Sequence, residues 1–70
     1  MDKADVDEGF VEVRYLLRQS ASDARMARAQ LLALTDAGVT QRDAAARVGV
    51  PFGTLTSWLR VARQERDGLR

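Results

Sequence analysis

A chain of 70 residues suffices for one small domain, which buries only about 60% of the surface that its unfolded chain exposes. The absence of cysteine and histidine excludes disulfides, thiolate metal sites and the side chain best suited to proton transfer near neutral pH. The net charge of +1 hides an asymmetry, because residues 1–12 carry five carboxylates and one lysine, whereas residues 13–70 carry ten arginines and five carboxylates.

Residues 1–21 form an acidic N-terminal segment whose apolar residues are spaced in a way that is compatible with a helix or with a strand. Apolar residues recur at helical spacing from Val6 to Leu17, but residues 11–17 also alternate as a strand would. Gly9 disfavours the helix, while a lone strand would lack a partner edge. We predict a helix, with a strand as the alternative.

The same segment has two candidate roles. It can mediate a homodimer, or it can simply cover the core formed by the helices that follow. The side chains that would make the dimer contact are Phe10, Val13, Tyr15 and Leu17.

Residues 22–37 show the apolar spacing of an amphipathic helix. Ser22 is the predicted N-cap and Gly38 the left-handed residue that ends the helix. Arg25 and Arg28 lie off the apolar line, so we expect both to be solvated.

Two further helices are predicted on either side of a glycine. Thr40, with Asp43 three residues later, has the spacing of a capping box and begins a short helix that ends at Gly49. Pro51 then suits the first turn of a helix that continues to about residue 66, with Gly68 as its stop.

The segment 41–60 meets the demands of two helices that cross through a tight turn. Ala45 is small enough for the crossing, and Gly49 tolerates the positive φ that the turn requires. Apolar residues are available for the facing sides of the two helices. They are Ala44, Val48, Val50, Leu55 and Trp58.

Residues 38–60, GVTQRDAAARVGVPFGTLTSWLR, resemble the helix-turn-helix families of bacterial and phage regulators, transposase N-terminal domains and other homeodomain-like proteins. The resemblance covers roughly residues 24–63. It implies an all-α fold with a three-helix core and a helix-turn-helix at residues 22–67, preceded by the N-terminal helix. The sequence departs from the common pattern at Ala44, Phe52 and Gly53.

The resemblance also implies which residues face DNA. In such families they lie at the start and along the outer side of the second motif helix, which enters the major groove. Carried onto this sequence, they are Pro51, Phe52, Gly53, Thr56, Ser57 and Arg60. Arg47 and Arg63 would add contacts to the DNA backbone, as would the helix N-terminus formed by Thr40, Gln41 and Arg42.

Several of these side chains have two possible roles. Arg60 suits a bidentate contact to guanine or a contact to phosphate. Phe52 suits a thymine methyl group, or it stabilises the start of its own helix. Thr40 serves as a helix cap whether or not it also binds phosphate. Leu55 and Trp58 are predicted to be core residues rather than contacts.

The sequence thus predicts a sequence-specific DNA-binding protein, a small bacterial or phage transcriptional regulator that inserts helix 51–66 in the major groove of double-stranded DNA. If about four arginines neutralise phosphates, log affinity falls with log salt at a slope of roughly −4. The alternative is a helical protein-interaction module, an adaptor or antirepressor that binds another regulator through the same surface.

Other function classes are disfavoured. The chain has no nucleophile–base pair and no phosphate-cradling glycine loop, so we expect no enzyme, no cofactor, no metal site and no small-molecule substrate. No apolar run approaches the roughly 20 residues that cross a bilayer, and no signal segment opens the chain. We therefore expect a cytoplasmic protein without a membrane partner.

Overall fold

The computed structural model describes residues 2–68, which contain four α-helices and no strand. The helices are α1 (Lys3–Leu16), α2 (Ala21–Asp36), α3 (Gln41–Val48) and α4 (Phe52–Gly68). The predicted all-α fold is confirmed, and the N-terminal segment is a helix rather than a strand. Within the described range, no helix combines the length and the apolar character needed to cross a membrane.

Helices α2 and α3 each pack against the other three helices, and α2 lies at the centre of the fold because it makes the most extensive contacts, with α1 and α4. All four helices contribute to one apolar core, so α1 shares the core of the helices that follow it. The largest fully buried side chains are Phe10, Val13, Leu31, Leu34, Leu55 and Leu59.

Gly9 brings α1 close to α2. A Cβ atom built at Gly9 would lie 3.0 Å from the Cδ2 of Leu34 and 3.2 Å from the Nε2 of Gln30. An alanine at this position would require the side chains of Leu34 and Gln30 to shift by a few tenths of an ångström, and a larger residue would require more. The glycine that disfavours a helix on propensity is explained by this close approach, which the sequence alone does not reveal.

The N-cap of α2 lies two residues before the predicted one. Ser20 has extended backbone dihedrals, and its Oγ accepts a hydrogen bond of 3.2 Å from the N–H of Asp23. Ser22 lies inside the first helical turn, so its assignment as the cap is wrong. At the other end, Gly38 has the predicted left-handed conformation, with φ of 116°.

The turn between α3 and α4 has the predicted geometry. The Oγ1 of Thr40 caps α3 by accepting a hydrogen bond of 3.1 Å from the N–H of Asp43. Gly49 ends α3 in the left-handed region, with φ of 82° and ψ of 33°. Helix α4 begins at Phe52, and Pro51 stands just before it, where its carbonyl accepts the N–H of Leu55 at 3.1 Å.

We expect Gly49→Val to destabilise the fold by at least about 1–2 kcal/mol, because a β-branched side chain is strained at positive φ. Chemical denaturation followed by circular dichroism measures the change. Gly53→Ala is the matched control, since Gly53 is helical and open space surrounds an added Cβ, and it should stabilise α4 slightly. A Gly49→Val protein as stable as the parent would contradict the role given to this turn.

Candidate nucleic-acid interface

Helix α4 has one face in the core and the opposite face in water. Leu55, Leu59 and Ala62 are buried, and Trp58 is half-buried against the core, as predicted for Leu55 and Trp58. With a rotation of about 100° per residue, the predicted contact residues of α4 fall within an arc of about 140° that starts beside the buried Leu59, at Phe52, and runs away from the core. In order around the helix, they are Phe52, Arg63, Thr56, Arg60, Gly53 and Ser57.

Most of this outer arc is accessible. Phe52, Gly53, Ser57, Arg60 and Arg63 are exposed, and Thr56 is half-buried. Pro51, which precedes the helix, is exposed as well. The structure therefore brings the predicted α4 residues together on one surface, and we call it the outer face of α4.

The hydroxyl of Thr56 is already engaged. Its Oγ1 donates a hydrogen bond of 2.8 Å to the carbonyl oxygen of Gly53, one turn earlier in the helix. The oxygen keeps its capacity to accept. Toward a ligand, Thr56 is therefore suited to accept from an amino group rather than to donate.

The start of α3 meets the start of α4 through one contact. Arg42 is exposed, and its guanidinium carbon lies 4.9 Å from the centroid of the Phe52 ring. Phe52 is 43% exposed, so much of its ring is accessible to a ligand. This contact joins the predicted phosphate-binding residues Thr40, Gln41 and Arg42 to the outer face of α4, and sequence reasoning missed it.

Four arginines form ion pairs with carboxylates of another helix, although Arg25 and Arg66 remain exposed. Arg25 and Arg28 of α2 both bind Glu65 of α4, and Arg28 is only 23% exposed, so its predicted solvation is wrong. Arg25 is exposed but paired. A second link between the same helices joins Arg66 to Asp36 at 3.2 Å.

Arg47, the fourth of these arginines, is bound within the fold. It pairs with Asp7 of α1 and lies over the Phe10 ring, with 4.5 Å from its guanidinium carbon to the ring centroid. The predicted contact of Arg47 with the DNA backbone would have to break this pairing. Asp7 of the acidic N-terminal segment is thus paired with Arg47 of α3 and not with a cation on the outer face of α4.

The ion pairs stabilise the charged forms of two carboxylates. The hydrogen bond from Arg25 holds the pKa of Glu65 below its usual value, with a further contribution from Arg28. The hydrogen bond from Arg47 lowers the pKa of Asp7 in the same way. Both pairs are therefore ionised at neutral pH.

The remaining arginines between residues 2 and 68 have no carboxylate within ion-pair distance. They are Arg14, Arg18, Arg42, Arg60 and Arg63. The last three belong to α3 and α4, and all three are exposed. The cations left without a carboxylate partner in the helix-turn-helix segment are thus the ones that the sequence assigned to the interface.

Two of the four side chains predicted to form a dimer contact lie elsewhere. Phe10 and Val13 are fully buried in the core of the monomer, and Leu17 is partly buried against it. Tyr15 is 63% exposed. Covering the core is therefore a role that α1 has, and dimerisation through its outer side stays a prediction.

Comparison with known proteins adds no relative: no family, no curated protein and no solved structure matches this chain. The helix-turn-helix likeness thus rests on the residue pattern of 38–60. Any function must be argued from the geometry and charge described above.

Proposed function

We propose that this protein is a sequence-specific DNA-binding protein, a small transcriptional regulator of the bacterial or phage type that places α4 in the major groove. The observation that carries the proposal is the outer face of α4. It presents the polar and cationic side chains of Ser57, Arg60 and Arg63 to solvent, whereas Leu55 and Leu59 of the same helix are fully buried.

The dimensions of α4 suit that groove. An α-helix with its side chains is about 10–12 Å across, and the major groove of B-DNA is about 12 Å wide. Seventeen residues give α4 a length of about 25 Å, enough to follow the groove over several base pairs. Gly49 and Pro51 keep the connection short, so α3 lies beside the start of α4 and can reach the adjacent backbone.

The charges support the same placement. Arg60 and Arg63 project from the outer face of α4, and Arg42 stands beside its first turn. Ser57 is exposed for a hydrogen bond to a base edge, and Thr56 can accept one. The cations without carboxylate partners therefore lie on or beside the same surface of α4 as the polar groups that would read bases.

One copy of this unit reads only a few base pairs. Tight and specific binding by such units comes from two copies whose helices lie about 34 Å apart, one turn of DNA. We therefore include a homodimer in the proposal, with Tyr15 as the exposed member of the predicted α1 contact.

A second candidate function is a protein-interaction module, an adaptor or antirepressor. The observation that favours it is apolar exposure on α4, where Phe52 is 43% and Val61 39% exposed. A groove of about 450 Å³ between α2 and α4 adds an apolar floor that includes Met26, Ala29 and Ala33. Binding through these residues would depend little on salt.

Titration of labelled duplex DNA at several salt concentrations separates the two functions. With three arginines at the interface, we expect log affinity to fall with log salt at a slope of about −3, because each neutralised phosphate releases counterions. The slope should fall by about one unit in Arg63→Ala, with Arg18→Ala as the control that removes an equal charge outside α3 and α4. Absence of binding to duplex DNA at low salt would refute DNA binding and leave the interaction module.

A further inference from the structure

The contact between Arg42 and Phe52 is an unusual feature for the start of a helix. An aromatic ring that is 43% exposed stands at the first residue of α4, and a guanidinium lies 4.9 Å from its centroid. A cation at this distance over a ring is attracted by the negative charge of the ring face. We call these two side chains the Arg42–Phe52 pair.

The pair leaves the hydrogen-bond donors of Arg42 available. A guanidinium carries five N–H donors, and none of the side-chain hydrogen bonds between residues 2 and 68 involves Arg42. No carboxylate between residues 2 and 68 lies within ion-pair distance of Arg42. Because the contact with the Phe52 ring already limits the positions of the guanidinium, less side-chain freedom is lost when Arg42 binds a ligand.

The major groove offers one partner for each half of the pair. The C5-methyl group of a pyrimidine is the apolar group on its floor, and it matches the exposed ring of Phe52. The O6 and N7 atoms of guanine form the acceptor pair that matches a guanidinium fork. A ring and a fork held side by side therefore match a 5-methylpyrimidine next to a guanine.

We propose that the Arg42–Phe52 pair determines sequence specificity by reading a 5-methylpyrimidine beside a guanine. This inference rests on the proposed DNA binding and moves Arg42 from a phosphate contact to a base contact, so two arginines remain for phosphates and the expected salt slope becomes about −2. Thymine and 5-methylcytosine share the methyl group, so the ligand is either a thymine–guanine step or a methylated cytosine–guanine step.

The test begins with selection of bound duplexes from random sequence and then removes single groups from the selected site. Replacing the contacted thymine by 2′-deoxyuridine deletes only the methyl group and should weaken binding about fourfold. Replacing the neighbouring guanine by 7-deazaguanine deletes one acceptor and should weaken binding about tenfold. A parallel arm compares cytosine with 5-methylcytosine at the same position. Tighter binding of the methylated base in either comparison supports the inference, and the comparison in which it appears identifies the base.

Variants then assign each effect to a side chain. In Phe52→Ala the methyl group should no longer matter, and in Arg42→Lys the 7-deazaguanine effect should shrink, while the salt slope persists. Val61→Ala is the matched control, because it removes an exposed apolar side chain of α4 outside the outer face and should preserve both effects. Circular dichroism checks that each variant remains folded, as expected for exposed positions.

Two results would overturn the inference. If duplex binding keeps its salt dependence but ignores every methyl group, or responds equally in Phe52→Ala and the parent, the pair is not the reader and DNA binding still stands. If no duplex binds at low salt, the inference fails together with the proposed function.

Discussion

Replacing Phe10 by alanine is expected to destabilise the protein by about 3–5 kcal/mol. The ring is fully buried in the core, and it also carries the guanidinium of Arg47. At about 0.05–0.15 kcal/mol per residue, a chain of this length has about 4–10 kcal/mol of stability in total. The substitution should therefore remove roughly half of this stability and lower the unfolding midpoint in a urea titration followed by circular dichroism.

Tyr15→Ala is the matched control for this variant. Tyr15 is an aromatic residue on the same helix, but it is 63% exposed, so its loss should change stability by no more than about 0.5 kcal/mol. If α1 were a separable arm on an independent domain at residues 22–67, Phe10→Ala would leave the helices of that domain intact. An unfolding midpoint equal to that of the parent would thus refute the shared core.

The features that the sequence predicted correctly depend on neighbouring residues. Thr40 caps α3 and Gly49 takes a positive φ, since both requirements are set within four or five residues of chain. The choice between Ser20 and Ser22 is different, because both can cap a helix. It depends on where α1 ends and how the chain turns into α2.

The arginines show where reasoning from the sequence stops. Spacing along one helix places Arg28 and Arg47 relative to the apolar face of their own helix. It does not tell which carboxylate of another helix lies opposite them. Glu65 binds the arginines of α2 across 37 and 40 positions of sequence, and Asp7 binds Arg47 across 40. Such contacts follow from the packing of whole helices. Because Arg47 is paired with Asp7, about three arginines instead of four remain at the candidate interface. The expected salt slope changes accordingly, from about −4 to about −3.

The outer face of α4 was predictable in outline from the resemblance to helix-turn-helix families, whose DNA-contacting residues lie along the outer side of the second motif helix. Its chemistry was less so. The engaged hydroxyl of Thr56 and the stacking of Arg42 on Phe52 arise from distances that no periodicity encodes. These two contacts change which interactions Thr56, Arg42 and Phe52 can make with a ligand, but they leave the side chains on the surface where the sequence placed them.

Replacing Arg60 by alanine is expected to weaken specific DNA binding by about 1–3 kcal/mol, roughly five- to 150-fold. Arg60 is exposed near the middle of the outer arc and has no carboxylate partner between residues 2 and 68. Alanine favours helix and opens no cavity there, so stability and helicity should be unchanged. Fluorescence anisotropy with a selected duplex and with an unrelated duplex measures the loss.

Arg60→Lys then distinguishes the two contacts that the side chain can make. Lysine keeps the charge but lacks the fork, so a phosphate contact would largely survive, whereas a bidentate guanine contact would be lost together with the preference for that base. Arg18→Ala removes one exposed charge outside α3 and α4 and corrects for net charge. An equal loss of affinity in Arg60→Ala and Arg18→Ala, on both duplexes, would mean that Arg60 contributes only to the general attraction of the protein for DNA.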